Sequence, residues 1–209
     1  MIDYIRDPDA IYAASFAAIR AEARLDWLPS SMAHVAERMI HACGMVDLVD
    51  DMVFSEGAAE AGRAALLSGA PVFCDAEMVR HGIIRRLLPT ANEVVCLIGD
   101  AGVAAHADAI TNTRSAAQVD LWGDAIGGTV IAIGNAPTAL FRLLERLDAG
   151  LAKPALILGL PVGFVGAAES KAALAANSRG VPFITVKGRR GGSAMAAAAV
   201  NALCTGWHI

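Results

Sequence analysis

Segment 30–44 has apolar residues at every third or fourth position, a spacing that predicts an amphipathic helix. They would share one helix face, which carries Met32, Val35, Ala36, Met39, Ile40 and Cys43. Ser30 and Ser31 are candidate N-caps, and Gly44 is a typical helix stop. The opposite face would carry four polar side chains, His34, Glu37, Arg38 and His41, because residues three and four apart are neighbours on a helix. The pattern therefore predicts a helix over 30–44 with a cation and an imidazole side by side near its end.

Two further helices are predicted around this one. Asp7 and Pro8 suit the N-cap and first position of a helix that runs to about residue 25. Another helix is predicted over 56–68, ended by Gly69. An acidic stretch, 47–51, lies between the predicted 30–44 and 56–68 helices and is expected to be solvated.

The remainder of the chain alternates short apolar runs with helical patterns. The apolar runs are 71–75, 93–98, 129–133, 155–158 and 182–186, and the intervening helices are about 75–81, 104–122, 137–148, 166–178 and 191–204. Continuous apolar runs of this length, separated by helices, indicate a parallel sheet covered on both faces. We therefore expect an α/β fold: a single domain over residues 1–209, with a mostly parallel, doubly wound, Rossmann-like sheet of about five strands and extra N-terminal helices.

Ligands of such sheets bind at the carboxyl ends of the strands. Three predicted strands end there in turns rich in glycine or proline that lead into helices, at Asn135, Gly166 and Gly191. Free backbone N–H groups and the helix dipole make such turns natural anion sites, although a helix cap without a ligand gives the same pattern. No Walker motif occurs, and the glycines after the fourth strand do not fit the dinucleotide fingerprint, so nucleotide binding is only weakly supported.

Candidate chemistry is concentrated in three places. His41 could move a proton near neutral pH, and the neighbouring Arg38 should favour the neutral imidazole unless it holds an acidic substrate. Ser15 lies on the inward face of the first predicted helix, where its hydroxyl could face a cavity or bond to its own helix. Asn112, Thr113 and Arg114 offer an amide, a hydroxyl and a guanidinium close together. A solvated helix face is the alternative for His41 and for this last group.

Composition excludes several classes of protein. The net charge of −4 and the lack of a basic stripe argue against nucleic acid as a partner. The mean hydropathy is high, at +0.49, but no apolar run is long enough to span a membrane. The four cysteines form no CxxC pair and the histidines lack metal-ligand spacing, so we predict a cytoplasmic protein without a metal site. Arginine outnumbers lysine 14 to 3, which suits carboxylate binding, although a GC-rich genome would give the same bias.

Several longer motifs resemble the precorrin-8X methylmutase family of cobalamin biosynthesis along essentially the whole chain. They are Tyr4-Ile-Arg-Asp, Ile11-Tyr12 with Ser15-Phe16, Arg38-Met-Ile-His41-Ala-Cys-Gly44, Cys74-Asp-Ala-Glu-Met78, Asn112-Thr-Arg-Ser115, Gly134-Asn-Ala-Pro-Thr138, Pro161-Val-Gly-Phe-Val-Gly166-Ala-Ala-Glu-Ser-Lys171 and Gly191-Gly-Ser-Ala-Met195. The resemblance implies an isomerase that moves a methyl group from C-11 to C-12 of precorrin-8X, a corrin precursor, to give hydrogenobyrinate. This shift is a suprafacial 1,5-sigmatropic rearrangement and needs no redox cofactor.

The resemblance also assigns roles. The family's catalytic histidine matches His41, which would control protonation of a ring nitrogen, and substrate-binding positions match Ser15 and Arg38. Because the implied product carries seven carboxylates, we expect further anchors at Arg114 with Asn112 and Thr113, and at the helix starts after Asn135, Gly166 and Gly191. The resemblance also implies a homodimer. Two alternatives stay open: a cobalt-precorrin-8 methylmutase of the anaerobic route, and a non-catalytic tetrapyrrole carrier.

Overall fold

The computed structural model of the chain describes residues 2–206, so Met1 and residues 207–209, at the ends of the predicted domain, lie outside the described part. Nine α-helices are assigned within residues 2–206: α1 Pro8–Glu22, α2 Ser30–Cys43, α3 Ala58–Leu67, α4 Glu77–Gly82, α5 Ala101–Ala109, α6 Arg114–Trp122, α7 Pro137–Asp148, α8 Ala167–Ala176 and α9 Ser193–Cys204. The strands of the same part are β1 Met52–Phe54, β2 Val72–Cys74, β3 Val94–Val95, β4 Val130–Ile133, β5 Leu156–Gly159 and β6 Phe183–Val186.

The six strands form one sheet in the order β1-β6-β5-β4-β2-β3. All neighbours from β6 to β3 are parallel, as predicted for an α/β domain. The sheet has one strand more than the pattern indicated, since Met52–Phe54 pairs antiparallel with β6 at the edge. The three residues of this strand follow the acidic stretch that was expected to be only solvated, and a run so short has no period of its own to detect.

Helices cover both faces of the sheet. Along β4, Val130 and Ala132 pack into a core with α2, α3 and α9, whereas Ile131 and Ile133 pack into a second core with α6, α7 and α8. This alternation is the two-residue period of a strand buried on both faces. Helix α9 contacts β4 and β5 as well as α2, so α2 forms an additional layer over α9. Helix α1 packs in turn on α2.

Helix ends agree with the sequence at some positions and differ at others. Asp7 caps α1 by accepting a bond from the Ala10 N–H (3.1 Å), and Gly44 ends α2 with a positive φ of 71°. The predicted caps at Ser30 and Ser31 are wrong, because Pro29 is the N-cap residue and no side chain caps α2. Although its N-cap differs, α2 begins at the predicted residue and ends within one residue of the predicted position.

The predicted helix over 104–122 is also wrong, because it is two helices. Thr111 has φ +51°, which ends the first of them. Thr113 then caps α6, since its hydroxyl accepts a bond from the Ala116 N–H (3.1 Å). Short polar side chains compete for backbone groups in this way and favour turns and caps over helix interiors. The break places Asn112 and Arg114 at a helix start rather than along a helix.

Candidate functional site

His41 lies at the carboxyl edge of the sheet because α2 runs antiparallel to α9. At one end of the pair, His34 Nε2 is 2.9 Å from Thr205 Oγ1, just beyond the C-terminus of α9. At the other end, His41 and Ala194, in the first turn of α9, line a common cavity of about 270 Å³. Since α9 begins after the carboxyl end of β6, the imidazole is at the edge where α/β sheets bind their ligands.

Two aromatic rings of α1 hold the polar face of α2. The Phe16 ring is stacked on the His41 ring, with centroids 5.0 Å apart and an interplanar angle of 18°, and the Tyr12 ring is 5.9 Å from His41. The Arg38 guanidinium lies 5.4 Å from the Tyr12 centroid and 5.2 Å from the Phe16 centroid. Cation–π and ring contacts of this kind therefore fix Arg38 and His41 on the same aromatic platform.

Three cavities follow one another along α2. The largest, about 640 Å³, is lined by Tyr12, Phe16 and Arg38 and extends to Ser30 and His34 in the N-terminal part of α2. The 270 Å³ cavity shares Arg38 with it and adds His41. A third, about 310 Å³, shares His41 and is lined also by Ser15. We call these three cavities the α1–α2 groove. The groove brings together Ser15, Arg38 and His41, three of the predicted site residues.

Of two charged side chains in the groove, Glu37 is paired, whereas Arg38 has an unused hydrogen-bond donor within the described residues. Glu37 is buried, and its carboxylate accepts two bonds from Arg20, at 2.7 and 3.3 Å, so its charge is paired across α1 and α2. Arg38 Nε is buried and has no hydrogen-bond partner within residues 2–206. A guanidinium with an unused donor beside a cavity is suited to an anionic ligand.

The second set of predicted residues lies at the same edge but on the other face of the sheet. Asn112, Thr113 and Arg114 are exposed at the start of α6. Thr113 Oγ1 is 2.8 Å from Thr138 Oγ1, in the first turn of α7. A Cβ placed on Gly166, which has φ +79° at the start of α8, would lie 3.2 Å from Pro137 Cβ. The starts of α6, α7 and α8 are thus neighbours.

The turn at Asn135 differs from the expectation of free backbone amides. Asp75 is fully buried at the end of β2, and its carboxylate accepts bonds from the N–H groups of Gly134, Asn135 and Ala136 at 2.8, 2.9 and 2.6 Å. An internal anion therefore already occupies this helix start. The Asn135 side chain is exposed, so it can still contact a ligand although its N–H group is used.

Gly191 has a packing reason to be glycine. A Cβ there would collide with the carbonyl oxygens of Leu160 and Pro161, and the Gly192 N–H donates to the Leu160 carbonyl at 2.8 Å. The turns that follow β5 and β6 therefore pack directly against each other. Substrate binding by Gly191 stays a prediction.

Tyr12, Phe16 and Arg20 line the groove but were not predicted as site residues from the sequence. Their signal was available, since Tyr12 and Phe16 are four residues apart and so share a face of α1. What could not be read was that this face meets α2, a contact between separate helices. Within residues 2–206 there is no group of three potential metal ligands among His, Cys, Asp and Glu, and no helix is long and apolar enough to cross a membrane.

The fold and groove define an α/β protein that places a histidine and an arginine on an aromatic platform beside a ligand-sized opening. Comparison with known proteins identifies its family. The profile of precorrin-8X methylmutase matches residues 10–205. A precorrin-8X methylmutase of Pseudomonas aeruginosa is 63% identical over 98% of this chain and 99% of that protein, and one of a Sinorhizobium species is 59% identical over 96% of each. The chain belongs to the precorrin-8X methylmutase family.

A more distant relative and a solved structure agree with this. A cobalt-precorrin-8 methylmutase of Salmonella typhimurium is 41% identical over 96% of each chain. The crystal structure of a precorrin-8X methyl mutase from Thermus thermophilus superimposes with a TM-score of 0.84 at 38% identity, covering 93% of this chain and 96% of that one. The fold is therefore that of the family, and methylmutases are isomerases.

Proposed function

We propose that this protein converts precorrin-8X to hydrogenobyrinate by moving a methyl group from C-11 to C-12 of the macrocycle. The observation that carries the proposal is that the chain belongs to the methylmutase family and has an accessible His41 at the ligand-binding edge of its sheet. The metal-free substrate is favoured over the cobalt complex because identity is 63% and 59% to precorrin-8X methylmutases but 41% to the cobalt-precorrin-8 methylmutase of Salmonella typhimurium.

The chemistry requires little of the protein beyond positioning. The rearrangement is intramolecular, so every atom of the substrate is retained and no co-reactant is consumed. The protein must bind the macrocycle, select one tautomer and exclude water. His41 is the acid–base residue. It controls whether a ring nitrogen of the macrocycle is protonated, and this protonation determines the reactive tautomer. Its stacking on Phe16 fixes the plane of the imidazole for that transfer.

The proposed binding residues lie in the α1–α2 groove and at helix starts along the carboxyl edge of the sheet. Ser15 and Arg38 line the α1–α2 groove and bind the macrocycle near His41. Arg114, with Asn112 and Thr113, binds peripheral carboxylates at the start of α6. The backbone at Gly166 and Gly191 and the side chain of Asn135 complete the set.

A homodimer in the cytoplasm is also proposed. Exposed apolar side chains are concentrated in the N-terminal segment, where Ile2, Tyr4 and Ile5 are 82%, 61% and 54% exposed, and in the turn after β5, where Phe164 and Val165 are 82% and 89% exposed. Such patches are typical of protein interfaces. The four cysteines are free thiols, which suits a reducing compartment.

Binding and chemistry can be separated with three proteins. The wild type, His41→Ala and a control, His106→Ala, are titrated with hydrogenobyrinate and followed by the absorbance of the macrocycle. His106 is a suitable control because it lies in α5, where its Nε2 bonds to Asp120 at 2.8 Å, away from the groove. All three proteins should bind, whereas only His41→Ala should fail to convert precorrin-8X. Binding without turnover by the wild type would favour a tetrapyrrole carrier, and no binding by the wild type would refute the proposal.

A further inference from the structure

Lys171 is a buried cation that the proposed reaction does not use. It lies in α8 and is 1% exposed, although an ammonium group is costly to bury without a partner. Its Nζ donates to the backbone carbonyl of Arg190, in the turn between β6 and α9. One end of that turn is thereby fixed to the helix that covers the far face of the sheet.

The side chain of Arg190 reaches in the opposite direction. Its Nη2 donates to Asp47 at 2.7 Å, and its Nη1 lies 3.8 Å from Asp51. Both carboxylates belong to the short 3-10 helix Val46–Asp51 that follows α2. Asp47 follows Cys43, the last residue of α2, by four positions, so the guanidinium that Asp47 binds is near the C-terminus of that helix. A cation there is stabilised by the helix dipole.

The same turn is tied by its backbone on both sides. The Lys187 N–H donates to the Asp51 carbonyl at 2.8 Å, and the Gly163 N–H donates to the Arg189 carbonyl at 3.3 Å. We call Lys171, Arg190, Asp47 and Asp51 the Arg190 tether. It joins α8, the turn before α9 and the segment that follows α2.

The tether ends at the wall of the His41 cavity. Gly44 and Val46, on the segment between α2 and Asp47, line the 310 Å³ cavity together with His41 and Ser15. Movement of Asp47 would therefore move a wall of that cavity and the helix end that carries the imidazole. Displacements of about 1 Å at a reacting group can lower a rate by about a hundredfold.

We propose that Lys171 and Arg190 are positioning residues for His41, which act through Asp47 by fixing the end of α2 to the carboxyl edge of the sheet. This rests on the proposed function for its effect on turnover, but the placement of His41 can be measured independently. Lys171→Met retains an unbranched side chain of similar length and removes the donor. Asp47→Asn removes the charge that holds the guanidinium.

Turnover of precorrin-8X should fall about tenfold or more in kcat for each variant, while KM changes by less than about threefold, because the side chains proposed to bind the substrate, Ser15, Arg38 and Arg114, are not altered. The double variant should be no slower than the slower single variant, since either change alone breaks the same link. Asp148→Asn is the matched control. It breaks the two-bond ion pair of Arg179 with Asp148 at the C-terminus of α7, which is at the opposite edge of the sheet.

The position of the imidazole is read from the ring-proton resonances of His41, assigned by their loss in His41→Ala. Lys171→Met and Asp47→Asn should shift these resonances in the same direction, and Asp148→Asn should leave them unchanged. Unchanged resonances in Lys171→Met, or multiplicative losses of kcat in the double variant, would overturn the tether. If the wild type does not turn over precorrin-8X, the proposed function fails, and the resonances alone decide whether the tether positions His41.

Discussion

The substitution Asp75→Asn tests how the carboxyl edge of the sheet is built. The Asp75 carboxylate is fully buried and accepts three backbone N–H bonds, from Gly134, Asn135 and Ala136, at 2.6 to 2.9 Å. Burial raises the pKa of this carboxyl, and the three N–H donors act in the opposite direction. A neutral amide of nearly the same shape removes the charge without opening a cavity.

The expected loss of stability follows from counting donors. One amide oxygen can accept two of the three N–H groups at most, so at least one is left unsatisfied at about 1–3 kcal/mol. The bonds that survive lose their charge assistance, but the neutral amide also avoids the cost of burying a charge, and the raised pKa shows that this cost offsets the assistance. The free energy of unfolding should therefore fall by about 1–3 kcal/mol, through the unsatisfied N–H group, out of the roughly 5–15 kcal/mol of a typical domain.

Urea unfolding at neutral pH, followed by far-UV circular dichroism, measures this difference. Asp148→Asn, on an exposed helix end, serves as the control and should change the free energy of unfolding by less than about 1 kcal/mol. The dependence on urea should be the same for all three proteins, since the surface exposed on unfolding is unchanged. A loss below about 1 kcal/mol for Asp75→Asn would refute the view that an internal carboxylate holds this turn.

Two further predictions concern the cations. Arg38→Met should weaken hydrogenobyrinate binding about tenfold or more, because a hydrogen bond to a charged group is worth about 1.5–3 kcal/mol. Absorbance titration measures the affinity, and Arg179→Met is the control. Equal affinity of Arg38→Met and the wild type would contradict the role of Arg38. Burial lowers the pKa of Lys171 from 10.5 to about 8, so the unfolded chain binds the extra proton between these values. As the pH rises from about 8 to 10.5, the free energy of unfolding of the wild type should therefore increase by up to about 3 kcal/mol relative to that of Lys171→Met. Urea unfolding at several pH values measures both free energies. A difference between the two proteins that does not change with pH would contradict the lowered pKa.

Periodic patterns predicted most of the architecture because they are local. The stripe that ends in Met39, Ile40 and Cys43 is a true helix face, and Gly44 is the left-handed residue that ends it. The parallel sheet followed from apolar runs that are buried on both faces. Features that depend on a single residue were harder, as Thr111 shows, since its positive φ divides one predicted helix into two.

The site was predictable only in part, for a related reason. His41, Arg38 and Ser15 were found from helix spacing and from family motifs, and the structure places them around one groove. The contacts that organise the groove join distant positions, such as Phe16 against His41. The Asp75 carboxylate likewise accepts a hydrogen bond from the Asn135 N–H, about sixty residues further along the chain, and no local pattern predicts such a contact.

In the proposed mechanism, His41 performs the acid–base step of a methyl migration, and the groove binds the macrocycle even when His41 is removed. The most direct test is a single-turnover reaction, in which excess protein is mixed with precorrin-8X and the absorbance of hydrogenobyrinate is followed. The wild type should convert all the substrate, and His41→Ala should bind it yet convert it at least about a hundredfold more slowly. Conversion by His41→Ala at the wild-type rate would rule out this role of His41.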